Sequence, residues 1–170
     1  MIFGIMSDTH GHVQRMHRVA DTMTAEHGVT FIYHLGDDYC DAEQLRWAGH
    51  EVRGVPGLWC DEYRRGRVPK TIVETIDWLT VSCVHADKDL GPREKAAHLV
   101  LFGHTHEAEV RRVGRSVWLN PGHLKAEHDR GEAASYGLTE LTPEKLIVCI
   151  YELHGLLRER HEFSREELHG

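Results

Sequence analysis

The sequence predicts an α/β fold in which two sheets pack against each other with helices outside. Three observations carry this prediction. The first half alternates strand-like and helical patterns, and the second half is almost entirely strand-like. Between them, aspartates and histidines recur where apolar runs end, beside glycine.

The elements follow in order. IFGIM, residues 2–6, is an unbroken apolar run and reads as a buried first strand. SDTHGH is the loop after it. Val13, Met16, Val19, Ala20 and Met23 then recur at helical spacing, which predicts an amphipathic helix over 13–27. TFIYHL, 30–35, is a second strand closed by Gly-Asp-Asp, and 41–48 makes a short helix. Residues 51–53 form a short strand that runs into GVPGLWCDE, where glycine and proline stop it. Strand, helix, strand, helix and strand in this order predict a βαβαβ unit with parallel pairing. The later strands are 70–76, 79–85, 99–102, 108–113, 116–120, 134–139 and 145–152. Val113-Gly114-Arg115 joins two of them as a hairpin. One domain is expected over 1–155, and the charged residues 156–170 are expected to be a C-terminal extension, a peripheral helix or a loose tail.

Bulk properties bound the function. A chain of 170 residues can bury a core without staples. No run approaches the ~20 apolar residues of a membrane span. MIFGIMSD lacks the pattern of a signal peptide, so a cytoplasmic location is expected. The formal charge is −7, which disfavours polymeric nucleic acid and anionic lipid as partners. A bound metal could still reverse the sign locally for a phosphate substrate. None of the four cysteines sits in a CxxC pair, so neither a zinc knuckle nor a redox dithiol is indicated. The unusual number is 15 histidines, and position decides what they mean.

Asp8 and His10 follow the first strand, and Asp37 and Asp38 follow the second. His85 closes LTVSCV, and His104 and His106 follow LVLF. In a parallel sheet the carboxyl ends of strands line up, and ligands bind at that edge. Taken singly, Asp8 and Asp37 could be helix caps, His10 a surface histidine and His85 a core hydrogen bonder. Taken together they make a metal site. Mixed aspartate and histidine ligands suit manganese, iron, zinc and related first-row ions. The chain has no GxSxG and no P-loop, so serine hydrolase and nucleotide triphosphatase chemistry lack their usual signals.

MSDTHGH, LGDD, VHAD, LFGHTHEAE and NPGH resemble the signature blocks of the calcineurin-like metallophosphoesterases, in order, spacing and strand context. The small single-domain bacterial and archaeal phosphodiesterases of that superfamily are the nearest in kind. The resemblance covers roughly residues 1–150 and implies a four-layer α/β/β/α sandwich of two mixed sheets with flanking helices. It implies two divalent ions, manganese first, with iron, zinc, nickel or magnesium as alternatives. Asp8, His10 and His106 would hold one ion, His85 and His104 the other, and Asp37 would bridge them. The implied activity is hydrolysis of a small phosphodiester or nucleotide-like substrate by a hydroxide shared between the ions. The alternative is a catalytically weak or inactive binding or scaffold protein, since a scaffold subunit of protein-sorting coats belongs to the same superfamily. A homo-oligomer is left open.

Two blocks depart from the family pattern. The third strand is usually followed by Gly-Asn-Cys-Asp or Gly-Asn-His, whose asparagine binds the second ion. VRGVPGLWCDEY, residues 52–63, has no asparagine. Matching Gly54 puts Val55 in its place, and matching Cys60-Asp61 puts an apolar residue there. Asp61 or Cys60 could reach the ion, or water could complete its shell. For the leaving group's proton the options are Asp61, His123 or no protein acid at all, with Asp37 as the central catalytic carboxylate. VHAD replaces His-Gly-His, leaving Asp87 to bind metal, to orient His85 or to face solvent.

Overall fold

Period-two alternation decides which way each strand faces. A computed structural model describes residues 1–170. Its elements are β1 (Ile2–Met6), α1 (Val13–His27), β2 (Ile32–His34), α2 (Tyr39–Trp47), β3 (Val52–Gly54), α3 (Asp61–Arg65), β4 (Thr71–Ile76) and β5 (Leu79–Val84). They continue with α4 (Pro92–Lys95), β6 (Leu99–Leu101), β7 (Ala108–Val113), β8 (Ser116–Pro121), β9 (His128–Asp129) and β10 (Glu132–Ala133). The chain ends with β11 (Ser135–Leu141), β12 (Lys145–Glu152), β13 (Leu157–Ser164) and α5 (Arg165–His169).

Two mixed sheets result. The first runs β13-β12-β11-β1-β2-β3, and the second β4-β5-β6-β8-β7. β1, β2 and β3 are parallel, as are β5, β6 and β8. Phe3 and Ile5 of β1 face the second sheet, where they join Leu79, Val81, Leu99, Leu101 and Leu119 in the inter-sheet core. The intervening register turns Met6 to the opposite face, where Met16, Val19 and Met23 of α1 and Ala42 and Leu45 of α2 cover it. On the far side of the second sheet, Val84, Val100 and Trp118 pack with Leu90 and Ala97 beside α4. This is the α/β/β/α sandwich that the sequence implied.

The C-terminal residues differ from expectation. Residues 157–164 are neither a helix nor a loose tail but β13, paired antiparallel along β12. LRERHEFS escaped recognition because an outer strand keeps charge on both faces, a usual way to protect a sheet edge. Lys145 reaches Glu162 at 2.9 Å across the pair. Leu168 of α5 then closes the inter-sheet core and is 1% exposed. α3 and α4 were not foreseen, because one helical turn carries no readable periodicity. No helix is long and apolar enough to cross a membrane.

Candidate metal centre

The parallel strands of both sheets end at one rim, and their loops touch there. A Cβ on Gly103, after β6, would come within 2.1 Å of Ser7 Oγ and 2.8 Å of Asp8 Oδ2. Only glycine permits that approach. The rim loops also hold unusual backbone. Asp8, His10, Asp37, His104 and His106 all have positive φ, between 49° and 100°. Asp77 and Arg130 are the other two non-glycine residues in that region. Each such residue carries roughly 1–3 kcal/mol of strain, and strain gathered in one place marks a functional site. His85, on the exit of β5, is the candidate ligand without it.

The side chains converge into two groups of three. Asp8, His10 and His106 form one, and Asp8, Asp37 and His85 the other, with their ligand atoms within 4.8 Å of one another in each. Asp8 belongs to both. Its Oδ2 accepts hydrogen bonds from Ser7 Oγ at 2.6 Å and from the His104 N–H at 2.9 Å. Its Oδ1 lies 3.4 Å from His106 Nε2. His10 bridges sideways, with Nδ1 at 3.1 Å from Asp37 Oδ2 and Nε2 at 3.1 Å from His106 Nε2. His85 donates Nδ1–H to the Leu35 carbonyl at 2.8 Å, which leaves its Nε2 lone pair free. His106 Nδ1 is held by Asp129 Oδ2 at 2.5 Å, which orients its Nε2 toward Asp8.

The charge states agree with this picture. Burial pushes the Asp8 carboxyl up, but His106, His85, Ser7 and the His104 N–H together outweigh it and hold the carboxyl below its usual range. The hydrogen bond to Asp8 raises His106, against the opposing effect of burial. Burial lowers His10, partly offset by Asp37, and it lowers His104 with His85 adding to the effect. Carboxylates and imidazoles with nitrogens fixed by a second hydrogen bond are the donor set of a divalent first-row ion. The residues present therefore fit such an ion.

Other candidates fall in different places. The plain alternative of helix capping applies to neither Asp8 nor Asp37. Asp38 caps α2 by accepting from the Cys40 N–H at 3.2 Å, and the residue at the N-cap of α1 is His12. His104 is exposed, its ring centroid 5.2 Å from that of His85, and it belongs to neither group of three. Asp61 heads α3, pairs with Arg65 at 3.3 Å and is more than half exposed. Cys60 donates its thiol to the Gly57 carbonyl. Val55 is fully buried in the inter-sheet core. What the third-strand loop brings to Asp37 is backbone: a Cβ on Gly57 would sit 2.0 Å from the Asp37 carbonyl oxygen. Asp87 is exposed, and Leu35 rather than Asp87 takes the second nitrogen of His85. His123 is fully buried with its ring 5.3 Å from that of His106. Its Nε2 donates to the Glu132 carbonyl at 3.2 Å, and its Nδ1 has no partner.

Sequence reasoning missed two supports of the rim. Asp129 lies in the β9–β10 hairpin, 23 positions beyond His106, and nothing local marks it. His34 ends β2, accepts the Gly36 N–H at Nδ1 and meets Thr9 Oγ1 through Nε2 at 3.0 Å. It ties the Asp8 and Asp37 loops together. Burial pushes it down to about 4, so it stays neutral. Its place at a strand exit was a signal available in the sequence.

Asp41, in the first turn of α2, makes a separate prediction. It is 1% exposed and one carboxylate oxygen has no partner. Burial, then the charges of Asp38 and Asp37, push it up to about 6 from 3.8. A carboxyl raised on folding contributes stability below its unfolded value and loses it as pH rises through the folded value. Asp41→Asn should therefore stabilise the metal-free protein by about 2 kcal/mol at neutral pH, with the gain shrinking toward about pH 4. Urea denaturation at the two pH values checks this, and an Asn variant of unchanged stability would refute it.

A family model for the calcineurin-like phosphoesterase superfamily domain matches residues 1–144. The solved structure of a conserved uncharacterized protein and predicted phosphoesterase from Streptococcus pneumoniae is similar, at 22% identity and a TM-score of 0.73, over 96% of this chain and 97% of that one. Yfce, a phosphoesterase from E. coli, is similar at 19% identity and 0.75, over 95% and 98%. Vps29 from Entamoeba histolytica, in a structure complexed with zinc, is similar at 19% identity and 0.64, over 96% and 99%. No curated protein matches the chain.

Proposed function

The chain belongs to the calcineurin-like phosphoesterase superfamily, and we propose that within it the protein binds divalent metal while its phosphoester hydrolysis is weak or lost. One observation carries this. The loop after β3 presents Asp37 with the Gly57 backbone and no donor side chain. Val55 is sealed in the core and Asp61 is turned to Arg65.

Asp8, His10 and His106 would hold one ion. Asp8, Asp37 and His85, with His104 nearby, would hold a second and weaker one. Ions held there would supply Lewis acidity toward a phosphate ester and an activated water. The chain's own residues do the rest. Asp129 and the Leu35 carbonyl fix two imidazoles so that their free nitrogens point at the rim. His106 and His85, with Ser7 and the His104 N–H, hold Asp8 ionised. Neither candidate acid stands ready for the leaving group: Asp61 is turned to Arg65, and His123 is sealed behind His106 with burial lowering its affinity for a proton. A leaving group without a proton donor must be a good one, so only activated esters should react. Manganese is the first choice of metal. The ligand class is a small phosphodiester or nucleotide-like molecule, and the setting is the cytoplasm.

A working phosphodiesterase is the second reading. It is favoured by the presence of all six aspartates and histidines around the rim. In that reading Asp37 would be shared by the two ions, as the family resemblance implies, and the ions would supply an activated water. The fold is common to Yfce and to Vps29, so it does not choose between the readings. Hydrolysis of bis-p-nitrophenyl phosphate by the manganese-loaded protein chooses. The expected turnover is roughly a hundredfold or more below the typical ~1–10³ s⁻¹. Turnover inside that range, and abolished in Asp37→Ala, would establish the second reading instead.

A further inference from the structure

Away from the rim, α1 and β11 border a cleft of about 210 Å³. Its floor is chemically incomplete. Tyr136 is 1% exposed, and its hydroxyl has no hydrogen-bond partner. Arg15 reaches the same cleft; its Nη1 donates to the Leu124 carbonyl at 2.8 Å, while its buried Nε donates to nothing. A buried donor without an acceptor costs roughly 1–3 kcal/mol, so two of them in one cleft point to a missing acceptor. Arg18 adds a second guanidinium, and Val19 and Leu153 add apolar wall.

From this lining we propose that the cleft binds a small monocarboxylate with an apolar body about the size of one ring. The charge balance selects a monoanion. Arg15 and Arg18 contribute two positive charges and Glu127 one negative, a net of +1 among these three. A phosphate dianion would overshoot that balance and meet Glu127. The size agrees as well, since a cavity of ~150 Å³ already accepts benzene. The carboxylate would accept from the Tyr136 O–H and the Arg15 Nε–H, and its body would lie against Val19, Leu153 and the Tyr136 ring. That ring is held in place by stacking on Tyr151, with centroids 5.8 Å apart. Arg15 and Arg18 also border a second groove, over Gly11–Gln14. Tyr136 lines the first and not this second groove, and this distinguishes the two. Occupancy has a route to the rim, because the Leu124 whose carbonyl Arg15 holds donates its own N–H to the Ser7 and Asp8 carbonyls.

Calorimetric titration of the full chain, stripped of metal and dialysed free of chelator, tests the site without relying on the metal reading. Benzoate is the probe, with benzamide and inorganic phosphate in parallel. Benzoate should bind in one saturable step and raise the thermal midpoint, and the other two should bind more weakly. Tyr136→Phe should weaken benzoate about tenfold, the loss of one hydrogen bond to a charged acceptor, while making the unliganded protein more stable, because the unpartnered hydroxyl is gone. Arg18→Gln should weaken it as well. Absence of benzoate binding would overturn the proposal. So would benzoate binding that both variants leave unchanged, or phosphate binding more tightly than benzoate. A Tyr136→Phe protein that loses stability without ligand, in a chain that ignores benzoate, would show that water satisfies the hydroxyl and that no ligand site exists.

Discussion

Asp8→Asn is expected to abolish both metal-binding steps of this protein, whereas Asp37→Asn should abolish only the weaker one. The reason is geometric. Asp8 is the one residue common to the two groups of ligand atoms, and Asp37 belongs to a single group. Asp8 is also prepared for the task. It is 1% exposed, its φ is 53°, and two donors hold Oδ2 so that Oδ1 faces His106. Asparagine keeps the shape and removes the charge that offsets a cation's desolvation. Manganese affinity should fall by at least ~100-fold at both steps, beyond the ~10–100-fold typical of losing an outer-shell partner. Calorimetry reads the steps, and far-UV circular dichroism checks that the variant folds. The family resemblance gave the bridging part to Asp37. If that assignment is right, Asp37→Asn will lose both steps, and Asp8→Asn will keep the Asp37–His85 step.

How much of this was legible in the sequence depends on how local the signal is. The two sheets could be read because strand alternation and strand-ending glycines are local. The rim could be read because Asp8, Asp37 and His85 each stand within three residues of the strand before them, and His106 five residues beyond β6. What was not legible depends on partners far along the chain. Asp129 orients His106 from a two-residue strand whose sequence, His-Asp, says nothing by itself. Among metal ligand, partner of His85 and solvent-facing residue, the sequence could not choose for Asp87; it is exposed, and the Leu35 carbonyl, 50 positions before His85, holds that nitrogen. β13 was hidden by its charges, which belong to an exposed sheet edge rather than to a frayed tail. The Val-Pro-Gly loop was ambiguous because alignment of short blocks cannot say which residue faces the core. There the structure decides, since Val55 continues the β2–β3 pairing through its N–H to the His34 carbonyl at 3.1 Å.

That placement makes Val55→Asn a sharp test. By alignment on Gly54, this substitution restores the family asparagine and should strengthen the second metal step. By the structure it should do the opposite. Val55 is 0% exposed and packs in the inter-sheet core with Leu35, Tyr33 and Phe3. Replacing it removes apolar contacts worth about 1.5–3 kcal/mol when fully buried. It also buries an amide, and an unsatisfied amide costs roughly 1–3 kcal/mol more. The sum is about 2.5–6 kcal/mol, a large share of the 5–15 kcal/mol that holds a typical domain together. The expected result is a strongly lowered thermal midpoint with no gain in affinity at the weaker step. Val55→Thr serves as a control, since it adds one polar atom while keeping the branched shape, and it should lose less. A Val55→Asn protein of normal stability with a tightened second step would show that this side chain reaches the rim. The missing donor would then explain the weak site by one residue rather than by the path of the whole loop.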